Sequence, residues 1–226
     1  MTPGLLRQDS DWLWLLKPAG LPVFPPHRDP GGASLLGWLL EAHAQQGTPC
    51  FPAGFEGGLA HRLDTSTTGV VLAARSPEAL GHARELFQGG RLRKHYRFAT
   101  DREVPWQSHH VTTPLAHHRR RRDRMVVQRG ANTPHRGKWY PADTRFARRP
   151  DGWHATITTG VMHQVRLHAA WSGLPLLGDR LYGGAAIAGA PEGVRFVLHH
   201  RGFEGLVDDP VLVDPPTWWD QVRSLR

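Results

Sequence analysis

Apolar positions recur at helical spacing in three stretches of the chain and alternate or cluster in five others. Ser34 to Gln46 begins with a capping serine, carries Leu35, Leu36, Leu39 and Leu40, and stops at Gly47, which predicts a helix. Ser76-Pro77-Glu78 supplies a cap, a first-turn proline and an acidic first turn. Behind it Leu80, Ala83, Leu86 and Phe87 fall at helical spacing, and Gly89-Gly90 ends the run. His163 to Ser172 predicts a shorter helix, with Val165 and Ala169 on an inner face and Gly173 as a stop. Strands are predicted at Trp12–Leu16, Val70–Ala74, His95–Ala99, Trp153–Thr159 and Val194–His199. Many strands with few helices between them point to an α+β fold around a mixed, mainly antiparallel β-sheet with flanking helices and loops. One domain over 1–226 is the expectation, with the Pro-rich pieces 22–30 and 210–216 read as surface segments rather than linkers.

Composition narrows the classes. Hydrophobic residues make up 39% of the 226, enough for a packed core. No stretch offers the roughly 20 apolar residues of a membrane helix, and no signal-peptide pattern opens the chain. The single cysteine, Cys50, excludes an internal disulfide framework and fits a reducing cytoplasm. Charge adds more. Residues 91–148 hold 15 Lys+Arg against 4 Asp+Glu, a net of +11, whereas the rest of the chain nets −3. So concentrated a cationic segment attracts a polyanion and points to nucleic acid, with a solvated basic loop as the bland alternative.

The stretch richest in chemistry is His61-Arg62-Leu63-Asp64-Thr65-Ser66-Thr67-Thr68-Gly69, just ahead of the strand at Val70. It sets a carboxylate among a histidine, an arginine and several hydroxyls, a setting in which an aspartate can stay ionised as a nucleophile. An isolated loop aspartate is more often a turn residue. The stretch resembles the signature of the RluA-type RNA pseudouridine synthases, with Thr67-Thr68-Gly69 standing where the family has Thr-Ser-Gly. Four further elements match in order: Lys17-Pro18-Ala19-Gly20-Leu21; Lys94-His95-Tyr96; His163-Gln164-Val165-Arg166-Leu167-His168 with Gly178-Asp179 and Leu181-Tyr182-Gly183; and Val197-Leu198-His199. No room is expected for the N-terminal S4-type RNA-binding module of some members.

The resemblance implies an isomerase that turns specific uridines of ribosomal or transfer RNA into pseudouridine without a cofactor. Asp64 takes the place of the family's essential aspartate, acting on a flipped-out uridine; attack on the sugar and attack on the base both stay open. Arg166 is then the partner that orients Asp64, Tyr96 the aromatic that stacks on uracil, and Leu198 a wall of the base pocket. Arg62 is expected at the pocket mouth. Phosphate contacts are expected from Lys94 in the 91–94 cluster and from Arg119, Arg120, Arg121 and Arg122. Val161-Met162 replaces the family's usual arginine and threonine before His-Gln, and His200-Arg201-Gly202 replaces an alanine and apolar run. Both departures bear on the choice of RNA.

A metal site is not expected: fifteen histidines occur, but none in His-Glu-x-x-His spacing, and His163 and His168 lie about 140° apart around a helix. No glycine loop for a nucleotide is present. A monomer is the default. The rival class is a catalytically silent RNA-binding protein of the same fold, serving RNA folding or ribosome assembly, supported by the basic segment and nine tryptophans.

Overall fold

The computed structural model describes residues 2–225. Thirteen strands and three α-helices are described. In chain order they are β1 (Gly4–Gln8), β2 (Trp12–Lys17), α1 (Leu35–Ala42), β3 (Thr68–Ala74), α2 (Pro77–Gln88), β4 (Arg93–Phe98), β5 (Ser108–Val111), β6 (Leu115–His118), β7 (Met125–Val127), β8 (His135–Tyr140), β9 (Thr144–Arg149), β10 (Gly152–Ile157), α3 (Gln164–Trp171), β11 (Ala186–Ala188), β12 (Leu198–Glu204) and β13 (Arg223–Leu225). Eight strands form one sheet in the order β1-β2-β3-β12-β4-β10-β9-β5, and β7-β6-β8 and β11-β13 form two small ones. Every described pairing is antiparallel except β3 with β12, where His199 faces Thr68 and His200 faces Gly69. That is the mixed, mainly antiparallel α+β architecture that the apolar pattern predicts.

β3 is buried along its whole length because both faces of the sheet are covered. Val71 and Ala73 join Leu13, Leu15, Leu35 and Leu39 of α1, and Val165 and Ala169 of α3, in one core. Val70, Leu72 and Ala74 join Trp12, Trp14, and Leu80 and Ala83 of α2 in another. The period-2 alternation of strand side chains thus sorts one strand into two cores.

Two elements differ from the sequence expectation by more than two residues. The first helix stops at Ala42, not Gln46. His43 leaves helical geometry (φ −137°, ψ 68°) and a 3-10 turn follows over Ala44–Gly47. Gln46 is drawn inward, its amide donating to the carbonyls of Gly57 and Ala74, both at 2.9 Å. Those buried acceptors need a donor, and a continued helix would not supply it. The strand expected over 194–199 begins only at Leu198 and runs on to Glu204 past an irregularity at His200/Gly202. Val194 turns back on Pro191, and Val197 bonds Leu177 instead.

Candidate active site

The loop 61–67 is pinned at both ends. At its start the backbone N–H of Leu72 donates to His61 Nε2 at 3.1 Å. Lys17, at the end of β2, donates from Nζ to the carbonyls of Pro18 (2.8 Å), Leu21 (2.8 Å) and Thr65 (3.0 Å). Gly20 N–H also reaches Thr65 O at 2.9 Å. The Lys-Pro-Ala-Gly element is therefore a clamp on the loop that carries Asp64. Burial pushes the Lys17 ammonium down to about 7, against the pull of Asp64, which raises it.

The hydroxyls around Asp64 have a different use from the one the sequence suggests. Ser66 Oγ donates to Gly193 O (3.1 Å) and accepts from Arg195 N–H (3.2 Å), while Thr68 Oγ1 bonds His199 Nδ1 at 2.8 Å. They tie the loop to the segment leading into β12 and to β12 itself. The charge on Asp64 is met instead by Arg166, whose Nη1 donates to Asp64 Oδ2 at 2.9 Å.

Arg166 lies on the first turns of α3, its side chain 7% exposed. Asp179, which is buried, takes its other edge as a fork: Nε to Oδ2 at 2.7 Å and Nη2 to Oδ1 at 3.0 Å. The Phe196 ring lies 4.1 Å from its Cζ. Burial works against the guanidinium charge, but the two aspartates outweigh it and hold the group above its usual value. One arginine between two carboxylates leaves the trio with a net negative charge, so Asp64 is oriented without being fully quenched. Asp179 and Phe196 were not singled out from sequence; the available signal for Asp179 was its place in the Gly-Asp element of the long motif.

Tyr96 and Leu198 come together on β4 and β12. Both are buried, at 8% and 5% exposure. The Tyr96 ring lies 4.7 Å from that of His200, its cross-strand partner. Burial, and then the Asp64 charge, raise the Tyr96 hydroxyl well above its ordinary value, so it stays protonated. Asp64 itself is partly open, its side chain 28% exposed. Arg62 is exposed beside it.

Lys94 requires a correction. It is only 8% exposed and cannot serve as a free phosphate contact. Strand alternation along β4 turns it inward between exposed Arg93 and half-buried His95. Its Nζ lies 4.8 Å from the Phe87 ring centre and 3.5 Å from Thr159 O, and burial lowers it to about 8. Arg119, Arg120, Arg121 and Arg122 are exposed on the loop between β6 and β7. His118 Nδ1 accepts from the backbone N–H of Arg120 and Arg121, both at 3.1 Å, which shapes that turn.

His163 was missed as a site residue. Its Nε2 lies 3.9 Å from Asp64 Oδ1, and its Nδ1 is 2.9 Å from the hydroxyl of Tyr182. His168, five residues on, faces Thr144 and Thr113 instead and is structural. A cleft of about 480 Å³ lies between the end of α2 and the β6–β8 sheet, with Val161 and Met162 in its wall; Asp64 is not among its lining residues.

A partly open carboxylate, fixed by a doubly anchored arginine and close enough to a buried tyrosine for its charge to raise that hydroxyl, is equipped to capture or stabilise a cation-like carbon of a substrate. The family model for RNA pseudouridylate synthase matches residues 11–171. The chain belongs to that family. Relatives within it include ribosomal large subunit pseudouridine synthase D of Haemophilus ducreyi, 31% identical over 80% of this chain and 53% of the relative. The protein of the same name from Nitrosomonas europaea is 33% identical over 79% of this chain and 49% of the relative. The chain thus spans about half the length of these curated relatives. The human RNA pseudouridylate synthase domain containing 4 shares the fold, with a TM-score of 0.69 at 21% identity over 99% of this chain and 95% of that one.

Proposed function

We propose that this member of the pseudouridylate synthase family isomerises uridines in structured RNA to pseudouridine, with Asp64 as nucleophile toward a flipped-out nucleotide. The supporting observation is the Asp64–Arg166–Asp179 chain, which orients one partly exposed carboxylate and leaves it net charge for chemistry. In the reaction the C1′–N1 bond breaks, the uracil turns, C5 bonds to C1′, C5 loses its proton and N1 gains one. A uracil leaving group delocalises negative charge, so one carboxylate suffices where glycoside cleavage uses two.

In this proposal Arg166 holds Asp64, Tyr96 and Leu198 receive the base, and Arg62 guards the pocket mouth. Arg119 to Arg122 meet phosphates. No cofactor or metal is required, since the bonds broken and formed are within one nucleotide. The protein acts as a monomer in the cytoplasm. Ribosomal RNA is the first substrate to test, because relatives carry that name, with transfer RNA second.

The test is release of tritium from 5-tritiated uridine in large-subunit ribosomal RNA and transfer RNA transcripts. Wild type releases tritium, and Asp64→Asn stops release while RNA affinity stays within a few-fold. Wild type that binds these RNAs and releases nothing would favour the silent RNA-binding protein.

A further inference from the structure

We propose that His163 is a positioning residue for Asp64, donating from its Nε2–H to carboxylate oxygen Oδ1 while Arg166 holds Oδ2. The inference rests on the isomerase reading above and deepens it.

The hydrogen-bond chain behind the ring favours one tautomer. The backbone N–H of Met125 donates to the Tyr182 hydroxyl oxygen at 3.0 Å. The hydroxyl's own proton is then free to point at His163 Nδ1, 2.9 Å away. In the proposed arrangement Nδ1 accepts that proton, which gives the hydroxyl proton a partner, and the neutral imidazole carries its own on Nε2, the atom that faces Asp64 Oδ1 at 3.9 Å. Burial lowers the imidazole pKa, opposed by Asp64 and reinforced by Arg166, and raises Tyr182 to about 12, so both groups hold these protonation states near neutrality. A separation of 3.9 Å closes to hydrogen-bond length with about 1 Å of movement, the tightening that catalytic contacts undergo as substrate fills a site.

The backbone supplies an independent observation. His163 has φ 57° and is the one non-glycine residue with positive φ among those described. A side chain there is strained where glycine would be at ease. It is the residue that caps α3, yet its side chain makes no capping hydrogen bond. Its ring is used only for the contacts with Tyr182 and Asp64. The left-handed turn aims it at the carboxylate from the base of the same helix that carries Arg166. Charged and titratable groups facing the ring are Asp64 from the loop, Arg166 from α3, Asp179 and Tyr182 from the segment after α3, and Asp123 from the β6–β7 loop. A neutral second donor fits the chemistry. Two cations on Asp64 would quench it, whereas one cation and one neutral N–H fix its plane and leave its charge available.

Glutamine places an amide N–H near the position of Nε2, and asparagine places its amide near Nδ1. Three variants, His163→Gln, His163→Asn and His163→Gly, would be compared with wild type by single-turnover tritium release from the 5-tritiated transcripts. RNA affinity and thermal melting are measured alongside. Gln is expected to keep the rate within about tenfold, while Asn and Gly lose about 10²-fold, the scale of a misplaced reacting group. RNA affinity stays within a few-fold for all three. A structural role alone would not separate Gln from Asn in rate at equal melting temperature. Asn turning over as fast as Gln, or Gly as fast as wild type, would overturn the assignment while leaving the isomerase reading in place. A wild type that releases no tritium from any transcript would remove the isomerase reading and this inference with it.

Discussion

Arg166 divides its guanidinium between a forked pair to Asp179 and a single bond to Asp64, and only a planar group with several fixed donors can do both. Arg166→Lys keeps the charge and loses the fork. With a buried carboxylate left short of a partner, it is expected to cost about 3 kcal/mol of stability by urea unfolding. It is also expected to slow turnover about 10²-fold, because Asp64 is no longer oriented. An unchanged rate would mean that charge, not geometry, is what Arg166 contributes. Lys17 gives a second residue-scale prediction, this one in pH. Its native value of about 7 lies below the ordinary 10.5 of the unfolded chain. Between those values the unfolded state holds a proton that the native state lacks, so this group's contribution to stability rises with pH across that window. Below about pH 7 the native state carries the buried ammonium, and the one charge that the Lys17 shift shows favouring it is Asp64. Asp64→Asn should therefore melt further below wild type at about pH 6 than at about pH 9, where Lys17 is neutral in both. Melting curves that stay parallel across that range would show that Asp64 does not support Lys17.

Among elements, the parallel pairing of β3 with β12 is what brings the Asp64 loop beside the strand carrying Leu198 and His200. Gly69 makes that pairing possible. It sits at φ 125°, and an added Cβ would overlap the His200 carbonyl. Gly69→Ala is expected to cost about 2–3 kcal/mol and to slow turnover together with stability, measurable by urea unfolding beside the tritium assay. A variant of full stability would mean that the two strands can separate without consequence. β2, β3 and α2 were legible in sequence because both a pattern and its punctuation were present: Ser76-Pro77-Glu78 before α2, Gly69 before an unbroken apolar run. The strands β5 to β9 were not. In β8, His135-Arg136-Gly137-Lys138-Trp139-Tyr140 is largely exposed and carries no alternation to read. Of the motif residues, Arg166 bonds Asp64, and Tyr96, whose hydroxyl the Asp64 charge helps to raise, shares one core with Leu198. Lys94 did not fall where expected, since strand alternation turns it inward. His163 escaped notice because a left-handed backbone leaves no periodic trace, and Asp179 because its place in the Gly-Asp element does not by itself announce a pairing with Arg166 made by packing.

At the scale of the whole molecule, the net +11 of residues 91–148 follows one stretch of chain through β4 to β9. Within it the four arginines at 119–122 differ. Arg121 forks onto Asp123, Nε to Oδ1 at 3.2 Å and Nη2 to Oδ2 at 3.0 Å. Arg119, Arg120 and Arg122 form no ion pair among the described residues. Each unpaired cation that meets a phosphate releases counterions, so the salt dependence of RNA affinity counts such contacts, at about 0.7–0.9 in the logarithmic slope for each. Replacing Arg119, Arg120 and Arg122 together by glutamine should weaken binding of a structured RNA transcript and flatten that slope by about 2. Arg121→Gln alone should change the slope less than any one of the other three, because Asp123 already takes its charge. Single-turnover tritium release at saturating RNA should be unaltered in all of these variants, since none of these residues touches Asp64. An unchanged slope in the triple variant would make the loop a solvated edge and move the phosphate contacts elsewhere on the basic segment. A fall in the saturated rate would instead show that this loop fixes the position of the flipped nucleotide as well as holding the RNA that carries it.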